Sequence, residues 1–327
     1  MGIKLKDIVE PEKINFRDLE GKVIAIDAFN TIYQFLSGIR QRDGRPLVDN
    51  DGNITSHLSG ILYRNSSIIE KGIKPIYVFD GTSSSYKANT VVQRQEIRKE
   101  SEEKYKEALE KGDSETARKY AIRSSKMTPY ILESSKRLLA LMGIPCIDAA
   151  SEGEAQAAYM VKKGDAWAVA SQDYDCLALG AQRTIRNLTI SSNTLNLEYY
   201  ELAKVLKSLN ITREELVDIS LLVGTDFNDG TKGIGAKTAL KLAKKNKLKE
   251  AIDNLKKESV EDIDEIRNIF LKPKVNTNYK IKWKKPNKEG AVEFLCGEHG
   301  FSQQRVISAT SKLKKLNNGQ KSLEDWF

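Results

Sequence analysis

The chain has 327 residues, 40% of them hydrophobic and 30% charged, with a formal net charge of +8. That length accommodates one large or two ordinary domains, and no apolar run approaches the ~18 residues of a membrane span. The excess of 53 Lys and Arg over 45 acids favours a polyanionic partner, the more so if several acids are committed to one cluster.

The opening, MGIKLKDIVE, lacks the apolar centre of a secretory leader. Gly2 is not followed by a myristoylation signal, because Lys6 stands where Ser or Thr is needed. Next comes a short apolar run, KVIAIDAFN at 22–30, which reaches Asp27; Tyr33 follows six residues later, on the expected helix. A helical pattern, TSHLSGILYRNSSIIEKG, has Gly72 as its stop. A second apolar run, KPIYVFDG at 74–81, ends in Asp80, and a third, AWAVASQDYD at 166–175, ends in Asp173 and Asp175. Strands alternating with helices predict an α/β fold with a central, mainly parallel sheet flanked by helices. Sites in such sheets gather beyond the carboxyl ends of the strands, where all three acidic endings lie.

Residues 87–126 carry 11 Lys or Arg and 8 Asp or Glu with few strand signals, which predicts a charged helical excursion. Within it Lys87, Arg94 and Arg98 are spaced to share one helical stripe. After residue 200 the chain reads as mostly helical. The stretch 271–288, LKPKVNTNYKIKWKKPNK, is rich in lysine and free of acids. The segment DNDGN at 49–53 reads as a turn, since Ile54 and Gly60 stand where a calcium loop needs Gly and Glu. Cys146, Cys176 and Cys296 form no metal-ligand spacing with His57 and His299, so a reducing cytoplasm and no structural zinc are expected.

Each acid alone has an ordinary role. Ser151 and Glu154 fit a capping box, Glu152 suits a helix N-terminus, and Asp27 or Asp80 suits a turn. Together they deliver hard oxygen ligands to one edge, a set that suits magnesium or manganese. If 173–175 were extended, Asp173 and Asp175 would share a face. Like charges so placed need a cation between them, and without one some carboxyl pKa values rise. Two such ions about 4 Å apart can activate water and stabilise the leaving oxygen of a phosphodiester.

LLVGTDFNDGTKGIGAKTALKLAKK at 221–245 predicts a helix, a glycine-rich turn and a basic helix carrying Lys237, Lys241, Lys244 and Lys245. Glycines permit close backbone approach, and helix N-terminal N–H groups suit a phosphate. Such a motif holds DNA without reading its sequence. Asp226 lies just before the turn.

With these pieces in place the chain resembles the flap endonucleases of the structure-specific 5′-nuclease superfamily. The resemblance runs from GIKLKDI through IDAFNTIYQFL, YVFDG, SEGEAQAAYM, ASQDYDCLALGA, GTDFNDGTKGIGAKTAL and FLCGEHGFSQQRV to the last residue. It implies a PIN-like 5′-nuclease fold with a helical cap and a helix-two-turn-helix, and seven acids around two Mg2+ ions, for which Mn2+ can substitute. Asp27, Asp80 and Glu152 would serve one ion, and Glu154, Asp173, Asp175 and Asp226 the other. Lys87 and Arg94 would reach the scissile phosphate, and Tyr33 would stack on a nucleotide. DNA contacts are implied at Arg40, Arg64, Glu152, Gly224, Asp226, Gly233, Gly235, Lys237 and Thr238, with K+ at the helix-two-turn-helix. If Met1 is removed, Gly2 is the mature N-terminus, near the site.

The tail QKSLEDWF resembles a sliding-clamp-binding peptide through Gln320, Leu323, Trp326 and Phe327, with Leu323 and Trp326 one helical turn apart. The family often has Lys-Pro-Pro after FDG, where this chain has TSSS. The chain stops without the long basic tail of eukaryotic members and so resembles archaeal ones, with a cytoplasmic, monomeric protein expected. The implied organisation is a nuclease region at 1–98, part of the cap at 99–115, an internal nuclease region at 116–258, a C-terminal extension at 259–319 and the clamp peptide at 320–327. The implied activity is Mg2+-dependent 5′ flap endonuclease and 5′-3′ exonuclease cleavage of branched DNA in primer removal and base excision repair. The alternatives are a sister 5′ exonuclease or bubble-cutting repair nuclease, and a non-catalytic clamp-tethered DNA-binding module. The compact cap at 82–130 and the tail favour the flap enzyme over its sisters; the complete acid set argues against the binding module.

Overall fold

The structure, a computed structural model, describes residues 2–81, 88–113, 116, 119–120, 125–190 and 197–316; the side chains of 88–95 and 109 lie outside that description. Among the described residues there are seven strands: β1 (Glu12–Ile14), β2 (Val23–Asp27), β3 (Lys74–Phe79), β4 (Cys146–Asp148), β5 (Ala168–Ala170), β6 (Arg183–Arg186) and β7 (Leu197–Glu201). They form one sheet in the order β1-β7-β6-β5-β2-β3-β4. The five strands from β6 to β4 run parallel, and β7 and β1 close one edge antiparallel. The sheet is mainly parallel, as expected. Four of its strands lack the clear apolar runs that marked the other three: β1 and β4 are only three residues long, and β6 (RTIR) and β7 (LEYYE) mix charge with apolar positions.

Helices cover both faces, so the central strands are apolar on both sides. Along β2, Ile24 and Ile26 enter the core on one face with Tyr77 and Phe79, while Ala25 enters the core on the other with Ile76 and Val78. The first face is covered by α1 (Ala28–Gly38), α2 (Ser56–Glu70) and α4 (Pro129–Leu141). The second is covered by α5 (Gly153–Lys163), by the short α6 (Asp175–Ala178), and by α7 (Leu202–Leu209), α8 (Arg213–Val223), α9 (Ala236–Lys244), α10 (Leu248–Glu258) and α11 (Ile263–Leu271). Gly72, with φ +82°, ends the turn after α2 as expected. The charged excursion is a 23-residue helix, α3 (Ala88–Glu110).

The lysine-rich stretch after α11 is an irregular strap across the protein. Asn276 exchanges two hydrogen bonds with the Gln156 side chain, Tyr279 Oη donates to Asp165 Oδ2, and Trp283 Nε1 donates to Pro75 O at 3.0 Å. There follow α12 (Lys288–Val292), a π-helical segment (Glu293–Glu298), α13 (Gln303–Ser311) and a 3-10 helix (Lys312–Leu316), the last of the described residues. Among the described residues no helix is long and apolar enough to cross a membrane.

The chain visits β2, β3 and β4 in one direction and then returns to place β5 on the other side of β2. That reversal leaves a crevice beyond the carboxyl ends of β2 and β5, the place where such sheets hold ligands.

Candidate active site

Asp27 closes β2 and is at once the N-cap of α1, its Oδ1 accepting the Asn30 N–H at 3.1 Å. Only 6% of the residue is exposed. Asp80 follows β3 directly, and its Oδ1 accepts the Gly153 N–H at 2.7 Å, which joins it to the start of α5. Glu152 is the N-cap residue of α5, and Glu154 lies in its first turn. The Ser151–Glu154 capping box does not form: α5 has no side-chain cap, because the Glu154 carboxylate turns to Ser171 and Cys176 instead.

The route to Asp173 and Asp175 also differs from the extended chain expected. Strand β5 stops at Ala170, residues 171–174 turn, and Asp175 begins the short helix α6. The two carboxylates are brought together by the amino terminus of the chain. Gly2 N donates to Asp173 Oδ1 at 3.2 Å, and Ile3 N donates to Asp175 Oδ1 at 2.7 Å. A Cβ on Gly2 would overlap Asp175 Oδ1 and stand 2.6 Å from Asp173 Cβ, so only glycine allows this approach. Asn30 Nδ2 donates to Asp173 Oδ2 at 2.9 Å.

Asp27, Glu154, Asp173 and Asp175 form one electrostatic group. Burial, then the charges of Asp175, Asp27 and Asp173, hold the Glu154 carboxyl well above the usual carboxylate range. Burial and the same carboxylates push the Cys176 thiol well up. Like charges around a buried carboxyl raise its pKa, and a cation held among them would relieve that repulsion. Asp226 stands on the loop after α8. Among the described residues no three His, Cys, Asp or Glu side chains stand in position to grip a metal ion as they are. The donor set fits a hard divalent cation nonetheless: it is carboxylate oxygen throughout, with Asp27 and Asp175 buried and Glu154 and Asp173 part-buried, and it is self-repelling.

The stretch 221–245 takes the form expected of it, a helix, a glycine-rich turn and a basic helix. Helix α8 ends at Gly224, whose φ of +99° and close approach to Asp229 O (2.8 Å from a Cβ) exclude a side chain. The loop is braced by Asn228 Nδ2 on Leu221 O at 2.8 Å and by Thr231 N on Leu222 O at 2.8 Å. Gly233 has φ +83°, and Gly235 is the N-cap of α9 without a side-chain cap. The first N–H groups of α9, including those of Lys237 and Thr238, therefore point out of the helix end, and both residues are exposed. The N-terminus of α9 thus has the chemistry of a phosphate site.

Tyr33 lies on α1, where Arg98 Nη2 donates to its hydroxyl at 3.0 Å and the guanidinium sits 5.3 Å from the ring centre. Arg40 is engaged within the protein, donating to Gly44 O at 2.9 Å and Ser125 Oγ at 2.6 Å. Arg64 is half-buried on α2. Lys87, the Arg94 side chain and the terminal peptide with Gln320, Leu323, Trp326 and Phe327 lie outside the described residues.

Sequence reasoning missed Ser171, Asn30 and Cys176, and the part played by the Ile3 and Gly153 amides. The contacts of Ser171 and Cys176 with Glu154, of Asn30 with Asp173, of Ile3 with Asp175 and of Gly153 with Asp80 carry no spacing signal, because each crosses the fold.

Two family models match the chain: the XPG N-terminal domain over residues 1–101 and the XPG I-region over residues 143–226. Flap endonuclease 1 of Methanobrevibacter smithii is 66% identical over the full length of both chains. Flap endonuclease 1 of Pyrococcus furiosus is 48% identical, over 100% of this chain and 99% of that one. The solved structure of flap endonuclease-1 from Methanococcus jannaschii superposes with a TM-score of 0.81 at 46% identity, covering 98% of this chain and 100% of that one. The catalytic core of Rad2 in complex with DNA substrate shares the fold, with a TM-score of 0.69 at 22% identity over 94% of this chain and 97% of that one. With a mainly parallel sheet, carboxylates gathered beyond its strand ends and this level of identity over its whole length, the chain belongs to the flap endonuclease 1 family.

Proposed function

We propose that this chain cuts 5′ flaps at the junction of single strand and duplex, hydrolysing one phosphodiester bond with two Mg2+ ions, for which Mn2+ can substitute. The observation that carries the proposal is the carboxylate group of Asp27, Glu154, Asp173 and Asp175, drawn together by Ser171, Asn30 and the Gly2 and Ile3 amides; α9 supplies a helix N-terminus fit for a DNA phosphate. Asp27, Asp80 and Glu152 would hold one ion, and Glu154, Asp173, Asp175 and Asp226 the other. When bound, the ions lower the pKa of water and stabilise the departing 3′-oxygen.

The chain's own residues do the positioning. The α9 N-terminus, with Gly233, Gly235, Lys237 and Thr238, holds the duplex backbone, with K+ as its proposed companion. Gly224, Arg40 and Arg64 add contacts; Arg40 reaches DNA only by exchanging its Ser125 bond. Tyr33 offers its ring to a nucleotide at the site. Lys87 and Arg94, on the charged excursion, neutralise charge developing on the phosphate. The peptide 320–327 binds the replication sliding clamp, which raises local concentration at the junction. The setting is flap removal in replication and base excision repair, in the cytoplasm of the cell, by a monomer.

A panel of 5′-labelled substrates tests this reading. Cleavage of a flap junction at least tenfold faster than of a bubble or blunt duplex supports it; preference for the bubble or blunt end supports a sister nuclease.

A further inference from the structure

The hydroxyl of Ser171 stands at the centre of the carboxylate group. It donates to Glu154 Oε1 at 2.6 Å, accepts the Asp173 N–H at 3.2 Å, and lies 3.4 Å from Asp27 Oδ2. A serine hydroxyl has one proton to give. At these distances it goes to Glu154, and the lone pairs take the Asp173 amide. One atom thereby links the acid of α5, the turn after β5 and the end of β2. Cys176 Sγ donates to the same Glu154 oxygen at 3.3 Å. Both donors fall on Oε1, which fixes the rotation of the carboxyl group and leaves Oε2 as the oxygen for a cation.

We propose that Ser171 is a positioning residue that orients Glu154 and the 171–174 turn for divalent metal binding. This inference rests on the two-metal reading above. The hydroxyl fixes the rotation of the Glu154 carboxyl group and the backbone from which Asp173 projects. Without it Glu154 keeps only the weak thiol donor, and the Asp173 amide, part-buried, loses its partner. Partners that orient metal ligands in this way are worth ~10–100-fold in affinity.

The test is Mn2+ binding to the full chain by titration calorimetry, with three proteins compared: wild type, Ser171→Ala and Ser171→Thr, which retains the hydroxyl. Melting in EDTA checks that each is folded. The proposal expects Ser171→Ala to bind Mn2+ about tenfold more weakly, Ser171→Thr to stay within about threefold of wild type, and all three to melt cooperatively in EDTA, Ser171→Ala somewhat below the others. Cleavage by Ser171→Ala should recover as Mn2+ is raised. Equal Mn2+ affinity in wild type and Ser171→Ala overturns the inference and leaves the two-metal reading intact. Equal weakening in both variants overturns it as well, since the hydroxyl would not be the cause. A wild type that takes up no Mn2+ overturns the two-metal reading, and this inference with it.

Discussion

Replacing Gly153 with alanine isolates the geometry of the site from the stability of the fold. A Cβ at this position would stand 2.7 Å from Asp80 Oδ1 and 3.2 Å from Val78 O, where ordinary contact begins at 3.4 Å. The gap must open by about 0.7 Å, the difference between 3.4 and 2.7 Å. The Asp80 oxygen cannot simply yield, because the Gly153 amide holds that same atom at 2.7 Å. Either the Asp80 carboxyl rotates off its hydrogen bond, or the start of α5 backs away, carrying Glu152 and Glu154. Both movements separate acids assigned to the metals. A misplacement near 1 Å costs about 100-fold in rate, so a loss between about 10-fold and 100-fold is expected. Helix propensity acts the other way, alanine being up to ~1 kcal/mol better than glycine in a helix interior, but it offsets only part of the strained hydrogen bond to Asp80. The melting temperature should therefore hold or fall slightly while catalysis falls far more. Single-turnover cleavage of a flap substrate by rapid quench measures the rate, and DNA affinity in EDTA serves as the control. A rate within twofold of wild type would refute the steric argument.

Three further outcomes follow from the same structure. Gly2→Ala must displace Asp173 or Asp175, and cleavage should fall by about tenfold or more with little change in melting; unchanged cleavage would mean that the N-terminal segment simply swings aside. Lys237→Ala at the exposed start of α9 should weaken binding to all duplex arms alike and reduce the slope of log affinity against log salt by about one, as read by fluorescence anisotropy; an unchanged slope would remove Lys237 from the phosphate site. His57 is buried with Nε2 2.7 Å from Ser134 Oγ, and burial pulls its pKa down to about 3. The unfolded ring gains its proton near pH 6.5 and the folded ring only near 3, so the stability that neutral His57 maintains is full above that range and is lost as pH falls through it. The loss is up to ~1.4 kcal/mol per pH unit. His57→Gln should flatten this part of the melting profile between pH 7 and 4.5, and parallel profiles would contradict the assignment.

The parts of the fold that could be read from sequence were those with strong local patterns. Strands β2, β3 and β5 announced themselves as apolar runs because helices bury both of their faces. The short edge strands β1 and β4 and the charged strands β6 and β7 did not, since their pairing comes from tertiary neighbours rather than from their own composition. The acids were legible as a set because each closes a strand or opens a helix. Their local geometry was not. Asp173 and Asp175 are joined by amides about 170 residues away in sequence, at Gly2 and Ile3, and Glu154 left its capping box for a serine on another strand end. The helix–turn–helix at 221–245 was legible in detail, because glycines with positive φ and a basic helix start are local requirements. Engagement of Arg40 by Ser125 was invisible, as any contact across 85 residues must be.

The central claim is that these carboxylates work through divalent metal on a flap junction. Its most direct measurement is cleavage of a 5′-labelled double-flap DNA by the wild type with Mg2+, beside an EDTA control and Asp175→Ala. A single product at the junction, lost with EDTA and in Asp175→Ala, is the predicted result. A wild type that binds the junction but leaves it intact across Mg2+ and Mn2+ would contradict it.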